Sequence, residues 1–423
     1  MSPAAGAGGE PPVAVGVDVS SVERVRQLLT RQPRFATKYF SAEEAAYSQG
    51  RPERLAARWA AKEAVRKLFG GLGRPLPLYS AITVRRRPGG APQVLVEGEV
   101  VAGLSISLTH DAGVGVAVAA LAGGGDGAGG WLGELPTDLE LPQRPARSHK
   151  GTFGTVLVVA GSGDFPGAAV LCSLGALRGG SGKVKAVVVA GSPGSAGLPA
   201  EVIRVPVTPS GPGLDRAALE QAAPALESAQ AVVCGPGLGQ GAATEGLLDA
   251  LFAAAAGSSW GLVLDADALN VCASQPPLRA RIPRGSVLTP HPLEAARLAG
   301  RELAEVQASR SETARSLAAE LGVVVVLKGA ETVVADPAGA LYVDGHATAA
   351  LASGGTGDVL AGLVGALRAQ GLGAFSAARA GVFLHGAAGQ RLAMRRGRAG
   401  ILASEVAAEL VEVQEAVRRR RER

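Results

Sequence analysis

The chain has 423 residues, of which 47% are hydrophobic and 19% are charged, with 60 glycines and a formal net charge of +5. This composition excludes a disordered chain, and the length exceeds the usual size of one hydrophobic core, so we expect two domains. Three widely spaced cysteines, the absence of a leader pattern and the absence of a long apolar run predict a reduced, cytoplasmic protein without a membrane segment.

The first part of the chain predicts a small α+β domain over residues 13–121, preceded by a disordered Gly/Ala/Pro-rich stretch over 1–12. Apolar periodicity predicts helices over 21–29 and 55–69. Alternating or β-rich runs predict strands over 13–17, 82–87, 93–97, 104–109 and 114–121. Gly113 and Gly115 indicate a hairpin between the last two strands.

A glycine run over 123–130 is the clearest interruption of the sequence. Such a run has nothing to bury, so we predict a linker over 122–136. A second domain is expected over 137–417, followed by a basic tail over 418–423. The tail is most simply a frayed helix end, because no aromatic residues support nucleic-acid binding there.

The second domain alternates apolar β-branched runs with Ala/Leu-rich helical patterns, which predicts an α/β fold with a mostly parallel sheet covered on both faces. The predicted strands are 156–160, 184–189, 231–234, 262–265, 287–289 and 323–328. Ligands on such sheets bind at the carboxyl ends of the strands. The polar and Gly-rich segments of this domain directly follow those strands.

The segment Gly354-Gly355-Thr356-Gly357-Asp358 joins an anion-binding turn to a carboxylate. Its glycines allow positive φ, and the apolar pattern that follows predicts a helix whose N-terminal amides face the same point. A phosphate fits this turn. Asp358, in the first helical turn, is then placed to act as a base toward a hydroxyl.

Three other strand ends carry polar residues with two interpretations each. Lys328 either meets nucleotide phosphates or is a surface lysine in a hairpin turn, and His291 either contacts a ligand or packs on the next helix. Asp265 and Asp267 either support a metal or a sugar, or Asp267 caps the helix that follows.

The order of the motifs in this domain resembles that of the ADP-dependent NAD(P)H-hydrate dehydratases, which have the ribokinase-like fold. The resemblance covers residues 137–417. It rests on Ser148-His149-Lys150-Gly151-Thr152-Phe153-Gly154, Val159-Ala160-Gly161-Ser162, Gly167-Ala168-Ala169, Gly235-Pro236-Gly237-Leu238, Leu288-Thr289-Pro290-His291-Pro292, Val326-Leu327-Lys328-Gly329 and Gly354-Gly355-Thr356-Gly357-Asp358.

The resemblance implies that ADP, or ATP, is consumed to dehydrate the S epimers of NADHX and NADPHX, giving NADH or NADPH, AMP and phosphate when ADP is used. It also implies that a divalent metal bridges the phosphates. Position by position, the implied hydrate contacts are Ala168, Gly237, His291 and Asp358, with Asp358 catalytic. The implied adenylate contacts are Lys328, Gly329, Ala330, Glu331, Thr332 and Gly357. A vitamin or sugar-alcohol kinase is the alternative, since the same turn and aspartate serve both reactions.

Two acidic residues of the first domain suggest a metal site. Asp18 ends the first predicted strand, and Glu63 lies on the long helix. Two carboxylates can hold Mg²⁺ when water and pyrophosphate oxygens complete the shell. Alternatively, Asp18 caps the following helix and Glu63 pairs with Lys67 four residues later.

The surrounding motifs resemble the holo-acyl-carrier-protein synthases, which are phosphopantetheinyl transferases. They are Gly16-Val17-Asp18-Val19, Glu23-Arg24-Val25, Tyr39-Phe40-Ser41-Ala42-Glu43-Glu44, Arg58-Trp59-Ala60-Ala61-Lys62-Glu63-Ala64 and Ser105-Ile106-Ser107-Leu108-Thr109-His110-Asp111. The resemblance implies that Asp18 and Glu63 bind Mg²⁺ and that Lys62 and His110 lie near phosphates of coenzyme A, with Lys62 catalytic. It also implies a homo-oligomer, a trimer formed through 13–121. A noncatalytic carrier-binding or trimerisation module is the alternative.

The charge of the chain is unevenly distributed between the predicted domains. Residues 1–122 contain 15 Lys and Arg against 10 Asp and Glu, whereas the remainder contains 27 against 27. Arg24, Arg26, Arg31 and Arg34 cluster after the first strand. A basic surface suits an acidic acyl carrier protein as partner, and we expect neither nucleic acid nor a membrane as a partner.

Overall fold

The computed structural model describes residues 14–32, 34–71, 75–86, 91–101, 104–121, 131–192, 197–211 and 213–421. The described residues form two compact units, divided between Gly130 and Trp131. The expected disordered start at 1–12, most of the expected linker and the last two residues of the expected tail lie outside the described residues.

The first unit is an α+β domain with two small antiparallel sheets, in the orders β1-β6-β5 and β2-β3-β4. Its elements in chain order are β1 (Ala14–Ser21), α1 (Val22–Arg31), α2 (Phe35–Tyr39), α3 (Ala42–Ser48), α4 (Pro52–Gly71), β2 (Ile82–Arg86), β3 (Pro92–Val96), β4 (Glu99–Val100), β5 (Leu104–Asp111) and β6 (Val114–Leu121).

Helix α4 packs closely against one face of the β1-β6-β5 sheet. A Cβ on Gly16 would lie 2.0 Å from the carbonyl oxygen of Ala64, and one on Gly115 would lie 2.5 Å from the amide of Ala57. Glycine at both positions, with alanines on the helix, therefore lets the helix backbone approach the sheet. Gly113, with φ of +80°, provides the predicted hairpin turn.

The sequence located most elements of this unit and missed short ones. Strand β1 runs to Ser21, four residues beyond the predicted end, and the side chain of Ser21 caps α1 by accepting the amide of Arg24 at 3.3 Å. The short helices α2 and α3 and the two-residue strand β4 were not predicted, because so few residues give little periodicity. Val13 and Arg87, the ends of two predicted strands, lie outside the described residues.

The second unit is an α/β domain built on nine strands. Its elements in chain order are β7 (Thr155–Val159), α5 (Pro166–Arg178), β8 (Lys183–Val189), β9 (Ile203–Val207), α6 (Arg216–Gln221), α7 (Ala223–Glu227), β10 (Ala231–Cys234), α8 (Ala242–Ala255), β11 (Gly261–Leu264), α9 (Asp267–Ser274), α10 (Pro276–Arg279), β12 (Val287–Leu288), α11 (Pro292–Ala299), α12 (Leu303–Ala308), α13 (Arg310–Leu321), β13 (Val324–Leu327), β14 (Val333–Ala335), β15 (Leu341–Val343), α14 (Thr356–Ala369), α15 (Ala374–Arg396) and α16 (Ala403–Arg421).

The nine strands form one sheet in the order β15-β14-β13-β12-β11-β10-β7-β8-β9. Neighbouring strands in the stretch β13-β12-β11-β10-β7-β8-β9 of this order are parallel, and β14 and β15 add an antiparallel edge. All six predicted strands are present, whereas β9, β14 and β15 were missed. Helices bury separate hydrophobic clusters on the two faces of the sheet, as expected for a parallel sheet.

Helix α14 lies almost entirely inside the second unit. It packs against α5 at very short range: a Cβ on Gly362 would lie 2.0 Å from the carbonyl oxygen of Cys172, and one on Gly175 would lie 2.2 Å from that of Val359. Close packing of this kind leaves little freedom for the helix to shift. The start of α14, and with it the turn at 354–358, is therefore held in place.

The second unit begins before the expected end of the linker. Trp131 and Leu132 are 3% and 1% exposed and belong to a core cluster with α14, α15 and α16. The sequence suggests a linker here because glycine and charged residues flank Trp131 and Leu132, and this local composition does not indicate that the two side chains are buried. Residues 131–142 form an entry segment that lies against the helices of this unit.

Residues 418–421 do not form the expected tail, because α16 continues to Arg421. Three of its arginines donate to carbonyl groups of the entry segment: Arg418 to Pro142 at 3.4 Å, Arg420 to Gly133 at 3.4 Å, and Arg421 to Pro136 and Thr137 at 3.2 Å each. These hydrogen bonds hold a helix end that sequence alone predicted to fray. None of the helices in the described segments is long and apolar enough to cross a bilayer.

Candidate functional site

The candidate site of the second unit lies along one edge of the large sheet. Strands β13, β12, β11, β10 and β7 are consecutive neighbours and run parallel. The loops that follow them, together with the start of α14, therefore meet at the carboxyl edge. Every hydrate and nucleotide contact expected from the sequence lies in these loops or in the first turns of the helices after them.

The turn at 354–358 has the geometry of an anion-binding helix start. Gly355 is the N-cap residue with φ of +86°, and a Cβ there would lie 2.2 Å from Cδ1 of Leu171, so only glycine fits. Nε2 of the buried His385 lies 2.9 Å from the carbonyl oxygen of Thr356. Burial lowers the pKa of His385 to about 4, so the ring is neutral and donates this hydrogen bond. The first amides of a helix have no partner within it and form an anion-binding end, and Gly357 in this turn lies beside Lys328.

Lys328 places a positive charge beside this turn. Its Nζ lies 2.7 Å from Oδ1 of Asp265, which is 1% exposed. A Cβ on Gly357 would lie 3.2 Å from the same Nζ. Burial by itself lowers the pKa of Lys328, but the carboxylates of Asp265 and Glu294 outweigh burial and raise the pKa above its ordinary value. The site therefore holds a charged ammonium group against the glycine turn, and Lys328 is not a surface lysine.

Two carboxyl groups of the site have pKa values near neutrality. Burial raises the pKa of Asp358 to about 7, and the negative charge of Asp265 adds to the effect, while Lys328 opposes it. Burial likewise raises the pKa of Glu294 to about 7. Groups with pKa values near the working pH are suited to accept and release protons. Glu294 was not among the residues expected from the sequence.

His291 combines both interpretations that the sequence left open. It caps α11, since Nδ1 accepts the amides of Leu293 at 3.1 Å and Glu294 at 3.3 Å. Because Nδ1 accepts, the ring proton is on Nε2, which lies 3.3 Å from Oε1 of Glu294. Burial, followed by the charge of Lys328, lowers the pKa of His291 and keeps the ring neutral. The single N–H donor of this half-exposed ring therefore lies beside Glu294.

Ala168 and Gly237 lie next to each other, as expected for two contacts with one substrate. Gly237 has φ of +64°, and a Cβ there would lie 2.7 Å from the Cβ of Ala168. The loops after β7 and β10 are joined by a hydrogen bond from the amide of Gly161 to the carbonyl of Pro236, 2.8 Å long. A side chain at 237 would collide with Ala168 and Phe165 and force these loops apart.

Asp267 connects two loops of the site and does not cap a helix. Its Oδ2 accepts the amide of Gly239 at 2.9 Å, and Oδ1 accepts the side-chain amide of Gln240 at 3.1 Å. The N-cap residue of α9 is Ala266, whose φ of +51° is rare for a residue with a side chain. Strained backbone of this kind is concentrated at functional sites. Ala266 separates Asp265, which contacts Lys328, from Asp267, which contacts the loop after β10.

The expected nucleotide contacts over 328–332 form the turn between β13 and β14. Arg310 holds this turn by donating to the carbonyls of Leu327 at 3.0 Å and Lys328 at 3.2 Å. A Cβ on Gly329 would lie 2.9 Å from the Arg310 guanidinium. We did not expect Arg310 from the sequence, since it begins α13 and no local motif marks it.

Asp18 and Glu63 of the first unit each have a polar partner. Lys67 Nζ lies 2.7 Å from Oδ1 of Asp18, and the Tyr79 hydroxyl donates to Oε1 of Glu63 at 2.8 Å. Asp18 does not cap α1, because Ser21 does so. Lys67 pairs with Asp18, which lies far from it in the sequence.

The fit of this pair to Mg²⁺ is partial. Among the residues that the structure describes, no group of three or more His, Cys, Asp or Glu side chains is arranged to hold a metal ion. Asp18 and Glu63 therefore fit a cation only if phosphate and water oxygens complete its coordination shell and the ammonium group of Lys67 moves away from Asp18. Lys67 is more than half exposed, which permits that movement. His110 is exposed on β5, opposite Gly115 of β6.

The coenzyme A contact expected for Lys62 is contradicted by its position. Lys62 is 0% exposed, and its ammonium group contacts Oε2 of Glu44 at 3.0 Å, the carbonyl of Tyr79 at 3.0 Å and the carbonyl of Ile82. These three acceptors match the three donors of an ammonium group. Glu63, the next residue, also contacts Tyr79, but its side chain is partly exposed whereas that of Lys62 is fully buried. Lys62 is a structural residue.

Replacing Lys62 with Met is expected to destabilise the first unit by about 3–5 kcal/mol, because the buried carboxylate of Glu44 loses its partner. Chemical denaturation of the full chain, following the transition of the first unit, measures this change. The exposed Lys38 changed to Met provides the matched control and is expected to have little effect. Unchanged stability in the Lys62 variant, with a raised KM for coenzyme A, would restore the original assignment.

Comparison with known proteins identifies relatives of both units. A family model described as NAD(P)H-hydrate dehydratase matches residues 156–412, and a model of the 4′-phosphopantetheinyl transferase superfamily matches residues 14–119. An ADP-dependent (S)-NAD(P)H-hydrate dehydratase of Neisseria meningitidis is 40% identical over 280 residues, which cover 64% of this chain and 90% of the relative.

Two further matches agree with this result. A bifunctional NAD(P)H-hydrate repair enzyme Nnr of Moorella thermoacetica is 38% identical over 270 residues, 63% of this chain, and the chain spans only 50% of that relative. The crystal structure of an ADP/ATP-dependent NAD(P)H-hydrate dehydratase of Bacillus subtilis, co-crystallised with ATP and Mg²⁺, superposes with a TM-score of 0.57 and 33% identity. It covers 66% of this chain and 94% of the solved chain.

Proposed function

Because the chain belongs to the NAD(P)H-hydrate dehydratase family, we propose that its second unit converts (S)-NADHX and (S)-NADPHX to NADH and NADPH. The co-substrate is ADP, which is converted to AMP and phosphate, and ATP is a candidate replacement. The observation that best supports this reaction is the position of Asp358. A partly buried carboxyl group with a pKa near 7 lies in the first turn of the helix whose amides form an anion site beside Lys328.

The proposed chemistry follows from the poor leaving ability of hydroxide. Asp358 accepts the proton of the hydrate hydroxyl as that oxygen attacks the terminal phosphoryl group of ADP, and AMP leaves. Lys328 and the amides of 354–358 stabilise the charge on the transferring group. The phosphate then departs with the electrons of the carbon–oxygen bond, while the ring nitrogen supplies its lone pair. A divalent ion bound to the phosphates would supply further charge neutralisation.

The other residues of the proposed site form two groups, one that contacts the hydrate and one that contacts the adenylate. Ala168, Gly237 and His291, together with Asp358, contact the hydrate. The adenylate contacts the residues of the β13–β14 turn, which are Lys328, Gly329, Ala330, Glu331 and Thr332, together with Gly357. The arrangement is supported by the adjacency of Ala168 and Gly237 on one hand, and of Lys328 and Gly357 on the other.

The decisive experiment incubates the purified full chain with (S)-NADHX and either ADP or ATP, while the absorbance of reduced nicotinamide is followed. We expect recovery of the absorbance with at least one nucleotide and none without nucleotide. Failure to recover NADH with both nucleotides would rule out the dehydratase, and phosphorylation of a vitamin or sugar alcohol would then identify the kinase alternative.

For the first unit, we propose transfer of phosphopantetheine from coenzyme A to a serine of an acyl carrier protein. Asp18 and Glu63 would hold Mg²⁺, which draws charge from the pyrophosphate as its bond breaks, and His110 would lie near the phosphates of coenzyme A. The products are the modified carrier protein and adenosine 3′,5′-bisphosphate. The match of residues 14–119 to the transferase superfamily supports this proposal.

We also propose that the first unit forms a homo-oligomer, a trimer as in the family that it resembles. Val15, Val17 and Val19 of β1 are exposed on the face of the β1-β6-β5 sheet opposite α4, and Val118 of β6 is exposed in register with Val17. An apolar sheet face of this kind is usually covered by a partner.

Arg24 is expected to contribute more to carrier-protein docking than Arg26. Both are exposed on α1, but Arg26 contacts Glu23 and lies 3.8 Å from Glu53, so its charge is partly neutralised. We expect Arg24→Glu to raise the KM for the carrier protein by about tenfold while leaving that for coenzyme A nearly unchanged. Arg26→Glu serves as the comparison, with a smaller effect. A similar rise in both KM values would argue against a docking surface on α1.

A further inference from the structure

Phe165 is the only aromatic residue among the large hydrophobic side chains that are exposed in the described part of the chain. It is 59% exposed. It lies between β7 and α5, at the carboxyl edge of the sheet that carries the candidate site. Aromatic residues make up only 4% of the chain, and leaving one in water forgoes the stabilisation that burial would provide. This position calls for a functional explanation.

The exposure of Phe165 is not caused by a loosely held backbone. Its amide donates to Oγ of Ser162 at 3.3 Å, and its carbonyl accepts the amide of Ala168 at 3.3 Å. The neighbouring Gly161 is hydrogen-bonded to Pro236 of the adjoining loop. The backbone is therefore fixed on both sides while the ring remains outside the core.

Phe165 lies beside the pair Ala168 and Gly237. A Cβ on Gly237 would lie 2.9 Å from the Cβ of Phe165 and 2.7 Å from that of Ala168. Glycine at 237 therefore lets the loop after β10 pack directly against Phe165 and Ala168. Phe165 thus lies beside two residues assigned to the hydrate, on a loop other than the β13–β14 turn assigned to the nucleotide.

We propose that Phe165 provides the aromatic surface on which the nicotinamide ring of the hydrate stacks. This inference rests on the proposed dehydratase function and adds a substrate-contacting residue to it. Aromatic rings favour offset contact with flat ring systems and attract cations to their faces. A conjugated ring is therefore held more strongly than a saturated one.

The reaction itself increases this interaction. In the hydrate, C5 and C6 are saturated and the ring is puckered. When the C6–O bond breaks toward phosphate, the lone pair of N1 forms a double bond to C6, so the positive charge is delocalised over the planar segment C3–C2–N1–C6 while C4 and C5 remain saturated. Loss of a proton from C5 to water then gives the neutral dihydronicotinamide. Phe165 thus contacts the cationic intermediate more favourably than the starting hydrate, so its removal lowers kcat as well as raising KM.

Three replacements of Phe165 in the full chain test the proposal. Phe165→Ala is expected to lower kcat/KM for (S)-NADHX by about tenfold or more, and Phe165→Tyr to stay within about threefold of the unchanged protein. Phe165→Leu keeps apolar bulk without a π face and is expected to lose kcat. Leu402→Ala, at another exposed apolar residue, is the control. Wild-type kcat in the Leu variant would overturn the stacking assignment.

A shorter substrate shows which ring Phe165 contacts. The hydrate of reduced nicotinamide mononucleotide lacks the adenosine half, so the Ala variant should lose activity by the same factor with it as with (S)-NADHX. A loss confined to the dinucleotide, or a change only in the KM for ADP, would overturn the proposal. If the unchanged protein converts neither hydrate with ADP or ATP, the dehydratase function itself fails, which is a separate result.

Discussion

Replacing Asp358 with Asn is expected to lower kcat for hydrate conversion by about 10²–10⁴-fold, the usual contribution of a positioned general base. Asparagine keeps the size of the side chain but cannot accept the hydroxyl proton. The surrounding turn depends on Gly355 and Thr356 and not on the carboxylate, so nucleotide binding is expected to persist. Steady-state kinetics measures the loss of kcat, and titration with nucleotide measures binding separately.

The activity of the unchanged protein should rise with pH through the pKa of the same group. Burial raises the pKa of Asp358 to about 7, so the base is mostly protonated at pH 6 and mostly ionised at pH 8. Glu294 titrates in the same range, and the two groups share an acid limb of kcat/KM with a midpoint near 7. An acid limb near pH 4 would show that the pKa of the base is not raised by burial.

The pKa of Asp358 also determines how stability should respond to the substitution. A carboxyl group whose folded pKa is raised stabilises the fold below its unfolded pKa, and that contribution is lost as pH rises through about 7. At pH 8 the unchanged protein therefore carries a partly buried charge that Asp358→Asn removes. We expect the variant to have the higher Tm at pH 8 and a smaller advantage at pH 5. Retained turnover in a stable variant would remove Asp358 from the base role.

Replacing Trp131 and Leu132 together with Ala is expected to destabilise the second unit by more than about 5 kcal/mol, since buried Trp and Leu side chains each contribute about 2–5 kcal/mol. Both side chains lie in the cluster formed with α14, α15 and α16. Calorimetry of the full chain should show a lower Tm for the transition of the second unit.

Leu402→Ala is the matched control for this double variant, because Leu402 is an apolar residue of the same unit that is 62% exposed. We expect the control to change the Tm little. If the double variant and the control unfold at the same temperature, residues 131 and 132 belong to the linker, as the sequence suggested. The comparison therefore decides between the two assignments of the boundary.

The features that sequence predicted well are those specified by residues close together in the chain. The strands of the large sheet follow from runs of β-branched residues, and the turn at 354–358 follows from glycines next to an apolar helix pattern. The proximity of Lys328 to this turn follows from the parallel order of the strands. Each of these inferences needed only a short window and the general rule for ligand sites on parallel sheets.

The features that sequence missed depend on partners far away in the chain. Lys62 can be buried because Glu44 and two distant carbonyl groups accept hydrogen bonds from its ammonium group, and nothing beside it in the motif shows this. Asp267 faces a loop that follows another strand, although its local setting suggested a helix cap. The raised pKa of Glu294 reflects burial together with charges contributed by other loops. Such properties arise only when each unit folds and brings distant segments of the chain together.

The contact between α16 and the entry segment makes the beginning and the end of the described second unit neighbours. The guanidinium of Arg421 reaches the carbonyls of Pro136 and Thr137, and that of Arg420 reaches Gly133. A domain whose first and last residues lie together can be cut at an exposed loop and rejoined across its old ends. The second unit is therefore suited to circular permutation, with the order of its elements along the chain changed and its sheet preserved.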